Sequence, residues 1–325
     1  MDKRLLISTA AVNAAIVVGI IIGNSLVVIA FVRFERLRSV ENYFIVGLSC
    51  TDLLLGLLIP VRDILDLGFD NSERTRYPCI VGTFLVVAMS NISLWTLMLI
   101  AVERYVKIFK PLHYPLYYTP GRVIAMLIVT WVVLIVSNLA IAMQEHWHVG
   151  QRCLVIKVYP KKMADIALPL LAFLPIVTTS FVYSRIFLLA RKHERSIRGL
   201  QVLCHQMSVN PSSSNSTLPQ PPQSSFSSSD RKRVKMMLAV MGVLYISWTP
   251  YCTAKFLLKE SSLDHQVWDS RAVAYEFASK LVYFNSLLNP LIYHWKSVDF
   301  RRCFTSMLGC GSQPNNAQAW VAPQT

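Results

Sequence analysis

The sequence predicts an all-α membrane protein, a bundle of seven transmembrane helices with a short amphipathic helix after the seventh. Three observations predict it. Of 325 residues, 54% are hydrophobic and only 15% charged, where an average soluble domain carries about 25% charged residues. A spanning helix needs about 20 mostly apolar residues, and seven windows supply them, at roughly 7–32, 43–66, 79–102, 122–143, 165–190, 234–258 and 272–293. Lys and Arg also concentrate in alternate connecting segments, as they do in loops that stay in the cytoplasm.

The first window has an apolar run of about 25 residues, longer than the roughly 7–15 of a secretory signal, so it reads as a retained helix behind a short extracellular N-terminus, residues 1–6. Six residues are too few to capture a large protein ligand as an ectodomain. An odd number of spans puts the termini on opposite sides. With the N-terminus outside, the inner segments 33–41, 103–122, 185–235 and 296 onward hold 19 Lys and Arg against 6 Asp and Glu, and the remainder holds 13 against 12. The expected location is the plasma membrane, multi-pass, with the C-terminus cytoplasmic. The same asymmetry accounts for the net charge of +14 without nucleic acid, for which no interleaving of aromatic and basic residues is present.

Residues 7–293 then form the transmembrane domain. Within it a long cytoplasmic loop, 191–233, carries a Ser-, Pro- and Gln-rich stretch, Ser208–Ser229, which cannot pack a core and is expected to be disordered. Its sequon at Asn215 faces the cytoplasm and should stay unglycosylated. Residues 294–310 place Trp295, Phe300, Phe304 and Leu308 near helical spacing among Lys296, Arg301 and Arg302. That pattern describes a helix lying on the inner leaflet, with Cys303 and Cys310 as lipidation candidates and a cytoplasmic tail over 311–325. The seven cysteines form no CxxC pair, which removes a zinc site. Only Cys79 and Cys153 fall in or beside outside loops, which permits a disulfide.

Several polar side chains lie where hydrocarbon makes them expensive, at roughly 2.5–3.5 kcal/mol for a charge at a helix centre. Asp52 sits in mid-helix two, Asn24 in helix one and Ser93 in helix three, while Asn285, Ser286 and Asn289 cluster in helix seven. If these depths converge, one carboxylate faces neutral oxygens and amides. Such a set suits a small hard cation such as sodium; it suits equally an ion-free network of interhelical hydrogen bonds. Pro60, Pro175, Pro250 and Pro290 each interrupt an apolar span, and each frees a carbonyl that neighbours or water must satisfy. Four bends around a polar cluster describe a bundle with two arrangements.

These residues resemble the rhodopsin-like (class A) family of G-protein-coupled receptors through all seven helices. The resemblance rests on Gly23-Asn24, Leu48 with Asp52, Cys79 placed 25 residues before Arg104, and Glu103-Arg104-Tyr105. It continues through Trp131, Pro175 with Tyr183, Trp248-Thr249-Pro250, and Asn289-Pro290-Leu291-Ile292-Tyr293 followed by Phe300. The resemblance implies a disulfide between Cys79 and Cys153. It implies that Glu103, and Asp230 at the foot of helix six, hold Arg104 at rest. It implies that Tyr105, Tyr183, Trp248, Pro250, Pro290 and Tyr293 belong to the coupling switch, and that Asp52, Ser93, Asn285 and Asn289, with Trp248, form an allosteric sodium site, no cofactor being required. Leu244 and Ser247 depart from the family's usual Phe and Cys around Trp248.

What the resemblance implies about the ligand is narrower. Aminergic receptors carry an Asp eighteen residues before the Arg, and here that residue is Val86. Opsins need a Lys where Tyr283 stands. Scattered segments, such as Asn42-Tyr43-Phe44 and Tyr183-Ser184-Arg185-Ile186-Phe187, look closest to adenosine receptors. Yet Val155-Ile156, Lys255 and Tyr283 replace those receptors' ligand contacts. Candidate pocket residues are Arg62, Asp63, Val86, Ser90, Trp248, Tyr251, Lys255, Ser279 and Tyr283. Charges this deep point to a polar or anionic small ligand, unless Arg62 pairs with Asp63 and Glu276 with Lys280 four residues on. The expected partners are an extracellular small molecule, a heterotrimeric G-protein, arrestin, receptor kinases and the lipid bilayer. A secondary transporter or channel is the rival reading, though no internal repeat appears. No catalytic motif supports an enzyme.

Overall fold

A chain in hydrocarbon must satisfy its backbone hydrogen bonds internally, and a helix does so within one segment. The computed structural model describes residues 3–68, 76–144, 158–159, 166–209, 228–257 and 270–307. Its long helices are α1 (Lys3–Arg33), α2 (Val40–Gly68), α3 (Arg76–Phe109), α4 (Pro120–Ala142), α5 (Leu168–Val209), α6 (Ser228–Leu257) and α7 (Ser270–Lys296), followed by the short α8 (Val298–Met307). Helices α1 to α5 are long and apolar enough to cross a membrane. Their outward faces expose residues such as Val18, Ile22, Ile128, Val132 and Phe181, as expected where the surrounding solvent is lipid. Helix α3 is the most enclosed of these five and α4 the least. Helix α3 packs along α2, α5 and α4, α1 lies against α2 and α7, and α6 pairs with α7.

Small residues set the closest approaches. A Cβ on Gly56 of α2 would stand 2.9 Å from Ile20 of α1, and one on Gly23 would stand 3.1 Å from the Pro290 ring of α7. Helix α4 starts on Thr119, whose hydroxyl accepts from the Arg122 backbone N–H at 3.4 Å, with Pro120 in the first turn. That combination stops the preceding loop and starts the helix.

Two of the four prolines show how the bends are tolerated. Pro175 leaves the Leu171 carbonyl without its helical donor, and Trp95 Nε1 of α3 donates to that oxygen at 2.8 Å. Pro290 does the same to the Ser286 carbonyl, to which Asn24 Nδ2 of α1 donates at 3.1 Å. Each bend is thus tied to a neighbouring helix.

Three expectations need correction. Helix α1 begins at Lys3, inside the stretch read as an N-terminal tail. Helix α5 continues to Val209 and α6 begins at Ser228, so residues 191–209 and 228–233 are helical rather than loop. The stretch expected to be disordered is helical at 208–209 and 228–229, and residues 210–227, with the sequon, lie outside the described residues. At 42 residues α5 is about 63 Å long at 1.5 Å per residue, twice a hydrocarbon core of about 30 Å. The apolar window ended where the membrane ends, but Lys, Arg, Glu and Leu keep good helix propensity in water.

Lastly, α8 covers Val298–Met307, residues 294–296 belong to α7, and 308–310 lie outside the described residues. It turns Phe300, Cys303 and Phe304 inward against Val27, Phe34 and Leu37, while Asp299 meets Arg36 at 3.0 Å. Cys303 is therefore a packing residue. Burial, and then the Asp299 carboxylate, push its thiol up to about 11. Cys310 lies outside the described residues.

Replacing Trp95 by Phe keeps the ring and deletes the donor to Leu171. Interhelical hydrogen bonds of this kind contribute about 0.6–1.7 kcal/mol, so the variant should melt several degrees lower in detergent. An unchanged midpoint would mean that the freed carbonyl needs no partner.

Candidate functional site

The polar residues of the spans converge on Asp52, which is fully buried. Asp52 Oδ1 accepts from Ser93 Oγ at 2.8 Å and from Ser286 Oγ at 2.7 Å, and Oδ2 accepts from Asn289 Nδ2 at 2.9 Å. Helices α2, α3 and α7 thus meet at one carboxylate, and Asn24 joins α1 through the Ser286 carbonyl. Asn285 is buried nearby, but among the described residues it gives Asp52 no hydrogen bond; Ser286, one residue on, does. Neutral donors can solvate a carboxylate but cannot cancel its charge. The Oδ1 atoms of Asn285 and Asn289 are buried with no hydrogen-bond partner among the described residues. A carboxylate, two hydroxyls and two acceptor amides fit a small hard cation such as sodium.

Three helical turns further in, a second cluster forms. Arg104 Nη1 pairs with Glu41 Oε2 of α2, Lys107 Nζ pairs with Glu41 Oε1, and Arg104 Nε lies 3.3 Å from Glu103 Oε2. The Tyr114 hydroxyl, in a single helical turn over Tyr114–Tyr117, donates to Glu103 Oε1 at 2.6 Å. Burial first, and then the Glu103 carboxylate, hold that hydroxyl well above the ordinary tyrosine range. Two acids and two bases cancel, which lets Glu103 and Arg104 stay at 1% and 4% exposure without an uncompensated buried charge. Of the two expected holders of Arg104, Glu103 is in place and the Asp230 side chain lies outside the described residues. Glu41 was missed. Its signal was in the chain, because Glu41 precedes Asp52 by eleven residues and Ser93 precedes Arg104 by eleven. That is three turns in each of two antiparallel helices, so the polar pairs repeat along one shared seam.

Aromatic residues pack beside these clusters. Tyr183 of α5 and Tyr293 of α7 are both buried. Tyr183 packs with Tyr105 of α3 and Met241 of α6, and Tyr293 lies 6.3 Å, centroid to centroid, from Phe300 of α8. Trp248 and Leu244 of α6 share one core with Leu94, Leu97, Val282 and Tyr293. Leu244 thus fills the place of the family's Phe with a buried side chain. Pro250 follows Trp248 inside α6 and Pro290 lies inside α7.

Above Trp248 a cavity of about 90 Å³ opens between α2, α3, α5, α6 and α7. Arg62, Val86, Ser90, Trp248, Tyr251, Ser279 and Tyr283 line it as expected, together with Tyr275, Leu168 and Phe173, which sequence reading had not singled out. Asp63 does not line it. That carboxylate turns away to accept from Asn13 Nδ2 of α1 and lies 3.6 Å from Arg62, the adjacent pairing weighed above. The side chains of Lys255 and Glu276 lie outside the described residues, and Lys280 stands over the Tyr283 ring at 5.8 Å. Cys79 at the outer end of α3 is buried and disulfide-bonded; Cys153, its expected partner, lies outside the described residues.

This is the geometry of a receptor, with a cavity toward one end of the bundle, a proline-containing helix beneath it and a charged cluster toward the other end. The family model for seven-transmembrane receptors of the rhodopsin family matches residues 23–293, and the chain belongs to that family. It is 31% identical to the histamine H2 receptor of Rattus norvegicus over 97% of this chain and 83% of that one. It is 27% identical to the octopamine receptor beta-2R of Drosophila melanogaster, over 95% and 62%. It is also 27% identical to a D(1)-like dopamine receptor of Takifugu rubripes, over 95% and 71%. These relatives are receptors named for amines, where the scattered segments had looked like adenosine receptors; Asn42-Tyr43-Phe44 and its companions are features of the scaffold. The protein is a multi-pass plasma-membrane receptor that couples a small-molecule ligand to a G-protein. It is not an enzyme, and the transporter or channel reading is set aside.

Replacing Glu41 by Gln should leave Arg104 with Glu103 as its one carboxylate among the described residues. Removing about 1 kcal/mol from the resting arrangement shifts its population about fivefold, so basal GTP exchange should rise by that order in membranes. Unchanged basal exchange would exclude Glu41 from the resting state.

Proposed function

We propose that the N-terminus faces the exterior and the C-terminus the cytoplasm, and that the ligand enters the cavity over Trp248. Binding there shifts α6 against α7, the Asp52 node rearranges, and Arg104 leaves Glu41 and Glu103 to face the G-protein. One observation carries the reading: Trp248 lines the outer cavity and packs in the same buried core as Leu244 and Tyr293, so a contact made in the cavity reaches the inner half through touching side chains. A ligand acts by binding one arrangement better than the other. The balanced cluster of Glu41, Glu103, Arg104 and Lys107 stabilises the resting one. Arrestin and receptor kinases would meet the same cytoplasmic face.

A sodium ion would be held by Asp52, Ser93, Ser286 and Asn289, with Asn285 beside them. When bound it would cancel the buried carboxylate charge. In the chain itself, Ser93 and Ser286 keep that carboxylate aimed between α3 and α7, and Asn289 ties it to the bend at Pro290.

The ligand departs from those of the named relatives. The resemblance places an amine's counter-ion at Val86, and an isopropyl group there offers a cation nothing.

Two measurements test this reading. Expressed with a panel of G-proteins, the chain should drive GTP exchange, and Arg104→Ala should reduce it to the background of empty membranes; exchange that survives the substitution refutes the role of Arg104. In detergent, replacing choline by sodium at constant ionic strength should raise the melting temperature of the wild type but not of Asp52→Asn. Equal shifts in the two proteins would rule out an ion at Asp52.

A further inference from the structure

We infer that the cavity takes a compact anion with an apolar body, a small carboxylic acid whose acid group is received by Arg62. This rests on the receptor reading above and specifies its ligand. Among the described residues, the lining holds one charged side chain, Arg62, and no acid. Arg62 is 7% exposed, so its charge acts in a medium of low dielectric, where a cation strongly favours a counter-charge. The adjacent Asp63 is one such counter-charge, at 3.6 Å and from outside the cavity. A guanidinium is a planar fork of five N–H donors that matches a carboxylate in two parallel hydrogen bonds.

The hydroxyls around it are of the matching kind. Tyr251 and Tyr275 lie in the lining with their oxygens 3.5 Å apart, and a phenol donates readily to an anion. Much of the rest of the wall is apolar, with Val86, Leu168 and Phe173 among it. The cavity therefore offers a cation and phenolic donors above an apolar floor. An ammonium ligand would meet Arg62 as a like charge and find no acid in that lining to hold it; a carboxylate on an aromatic or branched apolar body satisfies both halves.

The same geometry links recognition to signalling. Arg62 is on α2, Tyr251 on α6 and Tyr275 on α7, so one carboxylate can draw three helices together. The Tyr251 ring stands edge-on to Trp248, with centroids 6.1 Å apart and planes at 86°. An anion that pulls Tyr251 toward Arg62 moves the ring resting on Trp248.

The test uses the full-length receptor in lipid nanodiscs, with phenylacetate, hexanoate and indole-3-acetate as probes and phenethylamine, hexylamine and tryptamine as their cationic counterparts. At least one acid should raise the melting temperature in a saturable manner and shift G-protein exchange, while its matched amine does neither. Arg62→Gln should weaken that acid by about tenfold or more, the loss expected of a charge-assisted hydrogen bond, and Arg62→Lys should retain part of the binding. If Arg62→Gln does not fold, Tyr251→Phe, which keeps the ring, should still weaken the acid. Val86→Asp, which puts a negative charge into the lining, should abolish acid binding. The inference is overturned if no acid of the panel binds, if an amine binds more tightly than its matched acid, or if the acid binds these variants as it binds the wild type. Arg104-dependent basal exchange, measured in the same preparation, separates the two claims. Its absence alongside intact acid binding would count against the receptor reading and leave Arg62 as an acid site.

Discussion

A carboxylate cannot be left unsolvated in hydrocarbon, and the arrangement of the bundle follows from keeping Asp52 satisfied. Its three donors come from α3 and α7, so those helices must approach α2 at one depth. The Ser286 that serves it also hands its carbonyl to Asn24 of α1. Four helices are fixed by hydrogen bonds whose loss would strand a charge in a medium that penalises it by several kcal/mol. Apolar side chains, indifferent between lipid and one another, could not set that register.

The inner cluster answers the same constraint in another way. Where Asp52 is met by neutral donors, Glu41 and Glu103 are met by the cations Arg104 and Lys107. A balanced set can open toward water at modest cost, because each charge it releases can be hydrated. The middle node has no such exit. Motion is therefore cheapest at the Arg104 end and most constrained at the centre, which suits a device that must present a new face without coming apart.

Much of this was legible in the residues. The apolar windows found the long helices α1 to α7, because hydrocarbon demands about 20 apolar residues and little else does. Asp52, Ser93 and Asn289 stood out because polar groups in such windows need partners, and the partners proved to be one another. Other features were not legible, for physical reasons. The turns of α5 and α6 beyond the apolar windows carry no apolar signature. Glu41 looked like one more loop acid until α3 was placed against it. Asn285 and Ser286 differ by one position, and about 100° around a helix decides which faces the carboxylate. Asp63 turned out to point toward Asn13, a neighbour fifty residues away that sequence spacing does not reveal. That Cys303, a lipidation candidate, is buried was not legible, because helical spacing fixes a face but not what covers it.

The prolines of α5 and α7 carry a consequence for how this chain can change over generations. Pro175 and Trp95 are not independent positions: the ring of one creates the vacancy that the indole of the other fills, and Pro290 stands in the same relation to Asn24. Losing the donor alone strands a carbonyl, and losing the proline alone restores a backbone N–H that competes for the same oxygen and displaces the side chain. The least costly route between the bent and the straight form of either helix runs through paired substitutions on two different helices, a form of epistasis imposed by one missing hydrogen.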